Sequence, residues 1–118
     1  NHLELAGGIA AAVERARKKY GRKHPIQVEV RDEAEVPAAL DAGADSLLLD
    51  NMSPEQVKEA VELVAGRARV EASGGIRVEK VRTYAEAGVD FISVGALTHS
   101  ATFAEISVDI ALERPETA

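Results

Sequence analysis

At 118 residues and 46% hydrophobic content, the chain has the size and composition of one globular domain, or of part of one. A formal charge of −6 and only 3% aromatic residues argue against a nucleic-acid or anionic-membrane surface, which needs clustered Lys and Arg. There is no cysteine, which removes disulfide frameworks and thiolate metal sites, and no apolar run approaches the roughly 20 residues of a membrane span, so a soluble, cytoplasmic protein is expected.

The chain opens Asn1-His2-Leu3, with neither Met nor the charged-then-apolar start of a signal peptide, as a processed chain or one cut from something longer does. Ile9, Ala12, Val13, Ala16 and Tyr20 recur at helical spacing and Gly21 closes the pattern, predicting an amphipathic helix over residues 8–20. The basic run Arg15, Arg17, Lys18, Lys19, Arg22 and Lys23 could form an anion patch. A solvated face complementing the helix macrodipole is the better reading. Ile26 to Val30 alternates strictly and predicts a strand. Asp32 can cap the next helix, whose apolar positions are Val36, Ala39 and Leu40; Pro37 requires it to start late or to bend.

Asp41-Ala42-Gly43-Ala44-Asp45 leads into a buried strand, Ser46 to Asp50. Ser53-Pro54-Glu55-Gln56 combines a capping residue, a proline at the first helical position and a glutamine three residues after the cap. It is the clearest helix start in the chain, and Val57, Ala60, Val61 and Val64 supply the stripe that follows. Residues 69–73 form a third strand, Val78, Val81, Tyr84 and Ala85 a helix, Phe91 to Val94 a fourth strand, and Ile106, Val108 and Ile110 a final alternation. DAGADSLLLDN and EAGVDFISVGA lie 45 residues apart and mark a repeated α-then-β unit. Such alternation predicts an α/β fold with a parallel sheet and right-handed crossovers, either a βα-barrel or a doubly wound sheet. About five strands are counted, too few to close an ordinary eight-stranded barrel.

The two-residue period of a strand then sorts the polar side chains. If Val28, Val30, Leu47, Leu49, Val70, Ala72, Ile92 and Val94 face the helices, then Glu29, Asp50, Ser73 and Gly95 share the opposite face at the C-terminal ends of their strands. That rim is where βα folds place their sites. Each carboxylate taken singly could be an ordinary strand-end residue. Several converging carboxylates repel one another unless a cation such as Mg²⁺, reached through water, or sugar hydroxyls offset the cost. Gly74 and Gly75, and then Gly95 and Ala96, each stand between a strand and a helix start, where free N–H groups and the helix dipole favour phosphate. His99, just beyond the second glycine loop, reads as a neutral hydrogen bonder or a structural residue; the three histidines have no metal-ligand spacing. No GxSxG or GK[ST] motif occurs.

At Asn1-His2, AGGI (6–9), VEV (28–30), AGAD (42–45), LLLDNMSPE (47–55), EASGGI (71–76), YAEAGVDFISVGALTHS (84–100) and ISVDI (106–110), the chain resembles the C-terminal part of quinolinate phosphoribosyltransferase. The resemblance implies that residues 1–118 form one partial, phosphoribosyl-binding domain, the C-terminal segment of an irregular TIM-like (βα) barrel. An open doubly wound sheet is the alternative if the piece folds alone. It also implies a cytoplasmic homodimeric enzyme of NAD biosynthesis. Quinolinate and phosphoribosyl pyrophosphate are converted, with Mg²⁺, to nicotinate mononucleotide, pyrophosphate and CO₂.

Carried over by position, Glu29 and Asp50 match the acidic residues near the ribose hydroxyls and the metal. Ser73, Gly74, Gly75, Gly95 and Ala96 match the loops holding the 5-phosphate, and His99 a residue near them. Family members are more than twice as long. The N-terminal domain, the upstream strands with the Arg and Lys cluster that grips quinolinate, and a lysine just ahead of the Asn-His pair are not in this sequence. The chain alone is therefore expected to be inactive and, with open sheet edges, to self-associate. The rival expectations are a non-catalytic phosphate- or nucleotide-binding module and a purely structural α/β fragment.

Overall fold

In a computed structural model, residues 2–99 are described; Asn1, Ser100 and the predicted alternation at Ile106, Val108 and Ile110 lie outside the described residues. A short helix α1 (His2–Ala6) precedes α2 (Ile9–Tyr20), and βα units then follow: β1 (Gln27–Val30), α3 (Glu35–Asp41), β2 (Ser46–Asp50), α4 (Pro54–Val64), β3 (Arg69–Ser73), a 3₁₀ turn (Val78–Lys80) with α5 (Val81–Glu86), β4 (Phe91–Ile92) and α6 (Ala96–His99). The four strands pair in parallel in the order β1-β2-β3-β4. Val13, Val36, Ala39, Leu40, Val57, Ala60, Val64 and Tyr84 of the helices join Val28, Val30, Leu47, Leu49, Val70 and Ala72 of the strands in one buried cluster. All the long helices therefore cover the same face. A doubly wound sheet would reverse its strand order and carry helices on both faces; sequential order with one face left bare by the described residues is that of a βα-barrel segment. Among the described residues, no helix is long and apolar enough to cross a membrane.

Local chemistry explains the boundaries. In α4 the Ser53 hydroxyl accepts from the Gln56 N–H at 3.3 Å while the Gln56 side chain accepts from the Ser53 N–H at 3.0 Å, and Pro54 occupies the first helical position. Pro37 is accommodated because α3 starts only at Glu35, leaving the proline in the first turn, where no intrahelical donor is needed. Asp32 Oδ1 accepts from the Glu35 N–H at 3.1 Å, and the Glu35 carboxylate in turn accepts from the Arg31 N–H at 2.8 Å.

The 45-residue echo has a physical purpose beyond marking a unit. Asp45 donates its N–H to the Ile26 carbonyl at 2.9 Å and accepts the Ile26 N–H on Oδ2 at 2.6 Å. Asp90 does the same with Val70, at 2.9 Å and 2.7 Å. Each aspartate thus clamps both backbone groups at the start of the preceding strand, closing the N-terminal end of the sheet. Arg17 reinforces the first clamp: its Nη2 donates to Asp45 Oδ2 at 2.8 Å and to the Gly43 carbonyl at 2.9 Å. The Ile26 N–H, and after it the Arg17 guanidinium, hold the Asp45 carboxyl below its ordinary value.

Three expectations are modified. The helix expected from Val78 begins as a 3₁₀ turn, whose tighter pitch rotates Val78 out to 55% exposure while Tyr84 stays buried. Tyr20, expected on the buried stripe, is 52% exposed at the end of α2, with Lys19 Nζ 5.1 Å from its ring centroid. The fourth strand is laddered only over Phe91–Ile92, and the Ser93 N–H adds one further bond to the Ala72 carbonyl at 2.9 Å.

Candidate functional site

Strand parity holds on β1, β2 and β3, while β4 covers two residues and Gly95, expected at its end, lies beyond it. Gln27 and Glu29 are exposed beside buried Val28 and Val30; Ser46, Leu48 and Asp50 are half-buried beside buried Leu47 and Leu49; and Glu71 and Ser73 oppose buried Val70 and Ala72. Glu29, Asp50 and Ser73 accordingly lie on the bare face, and the register pairs Asp50 with Ser73 at the ends of β2 and β3. A cavity of about 430 Å³ opens on this face, lined from α1 by His2, Leu3 and Glu4 and from the sheet by Gln27, Glu29 and Leu48.

The two glycines after β3 have different reasons to be there. At Gly74, φ is +90°, and a Cβ would come within 2.6 Å of the Asn51 backbone nitrogen and closer still to the Asn51 side chain. Asn51 is itself left-handed (φ +56°) and donates its N–H to the Ser73 carbonyl at 3.0 Å. Gly74 therefore allows the loops after β2 and β3 to touch. At Gly75, φ is +60° and nothing lies within 4 Å of where a Cβ would be, so its backbone faces open space. Among the described residues no backbone carbonyl takes the N–H of Gly74 or Gly75, nor that of Gly95 or Ala96 in the next loop. These are the donors that the phosphate reading requires.

His99 folds back over Gly95: its N–H donates to the Gly95 carbonyl at 3.2 Å, and a Cβ on Gly95 would meet the His99 Nε2 at 3.0 Å. Ring and glycine thus pack as a unit in the second loop. Tyr84, from α5, reaches the loop after β2 and donates its hydroxyl to the buried Met52 carbonyl at 3.0 Å.

Asp50 Oδ2 accepts from the Asn51 side-chain amide at 2.7 Å. Among the described residues no three His, Asp or Glu side chains assemble as a metal cage. Two strand-end carboxylates on one bare face fit a hard cation that keeps several waters and is held also by phosphate oxygens, the usual mode for Mg²⁺. Glu71 was not singled out from sequence, yet it is the most connected carboxylate on this face. It accepts from the Ser93 hydroxyl and from Gln27 Nε2, the latter at 2.8 Å, and these two bonds, Ser93 first, hold it below its ordinary value.

The sequence matches the family description "Quinolinate phosphoribosyl transferase, C-terminal domain" over residues 1–109. It is 38% identical over 112 residues to a probable nicotinate-nucleotide pyrophosphorylase (carboxylating) of Bacillus subtilis (strain 168), covering 95% of this chain and 39% of that protein. It is also 39% identical over 115 residues to a probable nicotinate-nucleotide pyrophosphorylase (carboxylating) of Methanothermobacter thermautotrophicus, covering 93% of this chain and 41% of that one. Among solved structures, the nicotinate-nucleotide pyrophosphorylase from Francisella tularensis superposes with a TM-score of 0.78 at 43% identity, over 83% of this chain and 35% of that one. The chain thus spans about two fifths of the length of the curated relatives it matches. A family match over nearly every residue, joined to a barrel-type parallel sheet, places the chain in the quinolinate phosphoribosyltransferase family.

Proposed function

We propose that the chain supplies the phosphoribose side of a quinolinate phosphoribosyltransferase site, in which phosphoribosyl pyrophosphate and quinolinate give nicotinate mononucleotide, pyrophosphate and CO₂. The observation that carries the reading is the joint placement of Glu29, Asp50 and Ser73 on the bare face beside a Gly75 backbone that nothing covers. Gly74, Gly75, Gly95 and Ala96 offer N–H groups to the 5-phosphate, which lets an acidic protein bind an anion without a basic patch. His99 buttresses the second of these loops. Glu29 and Asp50 hydrogen-bond the ribose hydroxyls. As the bond from the anomeric carbon to pyrophosphate breaks, their charges stabilise the positive charge that builds on the sugar. The same two carboxylates, through water, would help hold Mg²⁺, which supplies charge neutralisation for the pyrophosphate when bound.

The dicarboxylate partner needs a cluster of cationic groups, whereas the described residues bring Arg31 alone of the Lys and Arg side chains to the cavity on this face. In the complete enzyme they come from outside residues 1–118, in a cytoplasmic homodimer. Calorimetric titration of the chain with phosphoribosyl pyrophosphate and Mg²⁺ should give saturable heat. Its absence would refute the reading in favour of a structural fragment. Adding quinolinate should yield no nicotinate mononucleotide above a blank; turnover by the chain alone would overturn the division of the site.

A further inference from the structure

We propose that Glu71 is a positioning residue that sets the spacing of the phosphoribose-binding rim, an inference that rests on the functional reading above for its ligand but not for its geometry. One carboxylate ties β3 to β1 and to the residue that follows β4: the Ser93 hydroxyl donates to Oε1, and Gln27 Nε2 donates to Oε2 at 2.8 Å. Residues two apart on a strand share a face, so the partners can be placed relative to the rim. Gln27 lies two before Glu29 on β1 and Glu71 two before Ser73 on β3, while Ser93 follows β4 directly. Leu48, two before Asp50 and half-buried, pairs in register with Glu29 on one side and Glu71 on the other. The network thus runs diagonally over this face, from Gln27, one step below Glu29, to Glu71, which shares a rung with Glu29 and lies one step below Ser73.

The bond from Gln27 to Glu71 also reports on the shape of the sheet. β1 and β3 are not neighbours, since β2 runs between them. In a flat sheet their backbones would stand about 9–10 Å apart with parallel side chains. A direct 2.8 Å bond across Leu48 is favoured when the sheet curls toward the bare face, as barrel strands do. Holding that curl holds Glu29 and Ser73 at a fixed separation, and a ligand spanning them is sensitive to displacements of about 1 Å. A simple surface hydrogen bond would tie one pair; this carboxylate uses both oxygens, on partners 44 and 22 residues away.

Three variants of the full chain test the proposal. Glu71→Leu removes both bonds and Ser93→Ala removes one. Glu71→Gln preserves both, once the Gln27 amide rotates, while removing the charge. The first readout needs no ligand: hydrogen exchange of the Asn51 amide, which donates to the Ser73 carbonyl, against the Val57 amide of α4, which donates to the Ser53 carbonyl. Exchange at Asn51 should accelerate about tenfold or more in Glu71→Leu and Ser93→Ala, with Val57 unchanged and Glu71→Gln close to wild type. Unchanged exchange at Asn51 in Ser93→Ala, the mildest variant and the decisive one if Glu71→Leu does not fold, overturns the proposal.

The second readout is the dissociation constant for phosphoribosyl pyrophosphate with Mg²⁺. It should rise about 10–100-fold in the Leu and Ala variants and stay within about threefold in Glu71→Gln. Equal loss in Gln and Leu would overturn positioning in favour of a role for the charge alone. If exchange responds as expected but the wild-type chain shows no saturable binding, the phosphoribose reading fails and the positioning role stands.

Discussion

Substituting Gly74 separates the two reasons a sequence can have for a glycine pair. In Gly74→Ala the new Cβ sits 2.6 Å from the Asn51 backbone nitrogen, a separation that real Cβ atoms do not show, and φ is +90°. The left-handed backbone costs a non-glycine residue about 1–2 kcal/mol. Forcing an extra carbon into a filled space adds about 1–3 kcal/mol. Alanine recovers about 0.4–1 kcal/mol by restricting the unfolded chain, so the net loss is about 1–4.5 kcal/mol. Gly75→Ala has the backbone term and the same offset but no clash, because nothing lies within 4 Å, and its net loss is about 0–1.5 kcal/mol. Urea unfolding followed by circular dichroism should show a lower midpoint for Gly74→Ala than for Gly75→Ala at unchanged slope. Adding Asn51→Gly to Gly74→Ala removes the side-chain part of the clash and the strain of φ +56°, and should restore about 1 kcal/mol. If Gly75→Ala proves as costly as Gly74→Ala, the two loops do not touch as described and the argument for a covered and an uncovered glycine fails.

Asp45→Asn should destabilise the chain by about 1–2 kcal/mol at neutral pH, a value kept low because the side chain is 35% exposed and solvent screens its pairing with Arg17. The Asp45 carboxyl is held below its ordinary 3.8, so its contribution is fully present above about pH 4 and is lost as the pH falls through the lowered value. Stability curves of wild type and variant should therefore converge on acidification, and a gap that widens would refute the clamp. Tyr84→Phe leaves the buried Met52 carbonyl without its 3.0 Å donor and should cost about 1–3 kcal/mol by thermal unfolding; no loss would mean that water replaces the hydroxyl. Glu29→Gln and Asp50→Asn should each weaken phosphoribosyl pyrophosphate binding about tenfold or more with little change in melting temperature, since both side chains lie on the bare face. Full binding by either variant would remove that residue from the site.

What the sequence reveals here depends on how far apart the interacting groups lie. The capping box at Ser53 and Gln56 is a three-residue pattern and appears in the structure as read, and the strict alternation at Val28 and Val30 places Glu29 correctly because a strand's period is fixed by its backbone. Glu71 has the same parity as Ser73, but its partners sit 44 and 22 residues away, and no local pattern announces them. Gly74 was legible as a special position but not as a contact, because the atom that excludes a side chain there belongs to Asn51, an ordinary residue in an unusual conformation. Tyr20 and Val78 fit a helical stripe and yet are exposed, since periodicity selects a face but not the point where a helix stops or tightens.

The repeated aspartates show how one unit can serve two purposes without conflict. Asp45 and Asp90 close the N-terminal ends of the preceding strands through the same reciprocal pair of backbone bonds, and the words around them, AGAD and AGVD, are nearly the same. Five residues after the aspartate the units differ: one ends in Asp50, followed by Asn51, and the other in Gly95, followed by Ala96. The invariant half holds the sheet at the end where no ligand is expected, and the divergent half sits on the rim where the candidate site lies. Strand-end chemistry can change between units because the clamp at the opposite end does not depend on it. It follows that Asp90→Asn should lower stability much as Asp45→Asn does. It should also leave the affinity for phosphoribosyl pyrophosphate within about threefold of wild type, because a group at the opposite end of the strands has no partner in common with the rim. A large loss of affinity from Asp90→Asn in a chain that remains folded would show that the two ends are coupled, and the separation of roles argued from the repeat would be wrong.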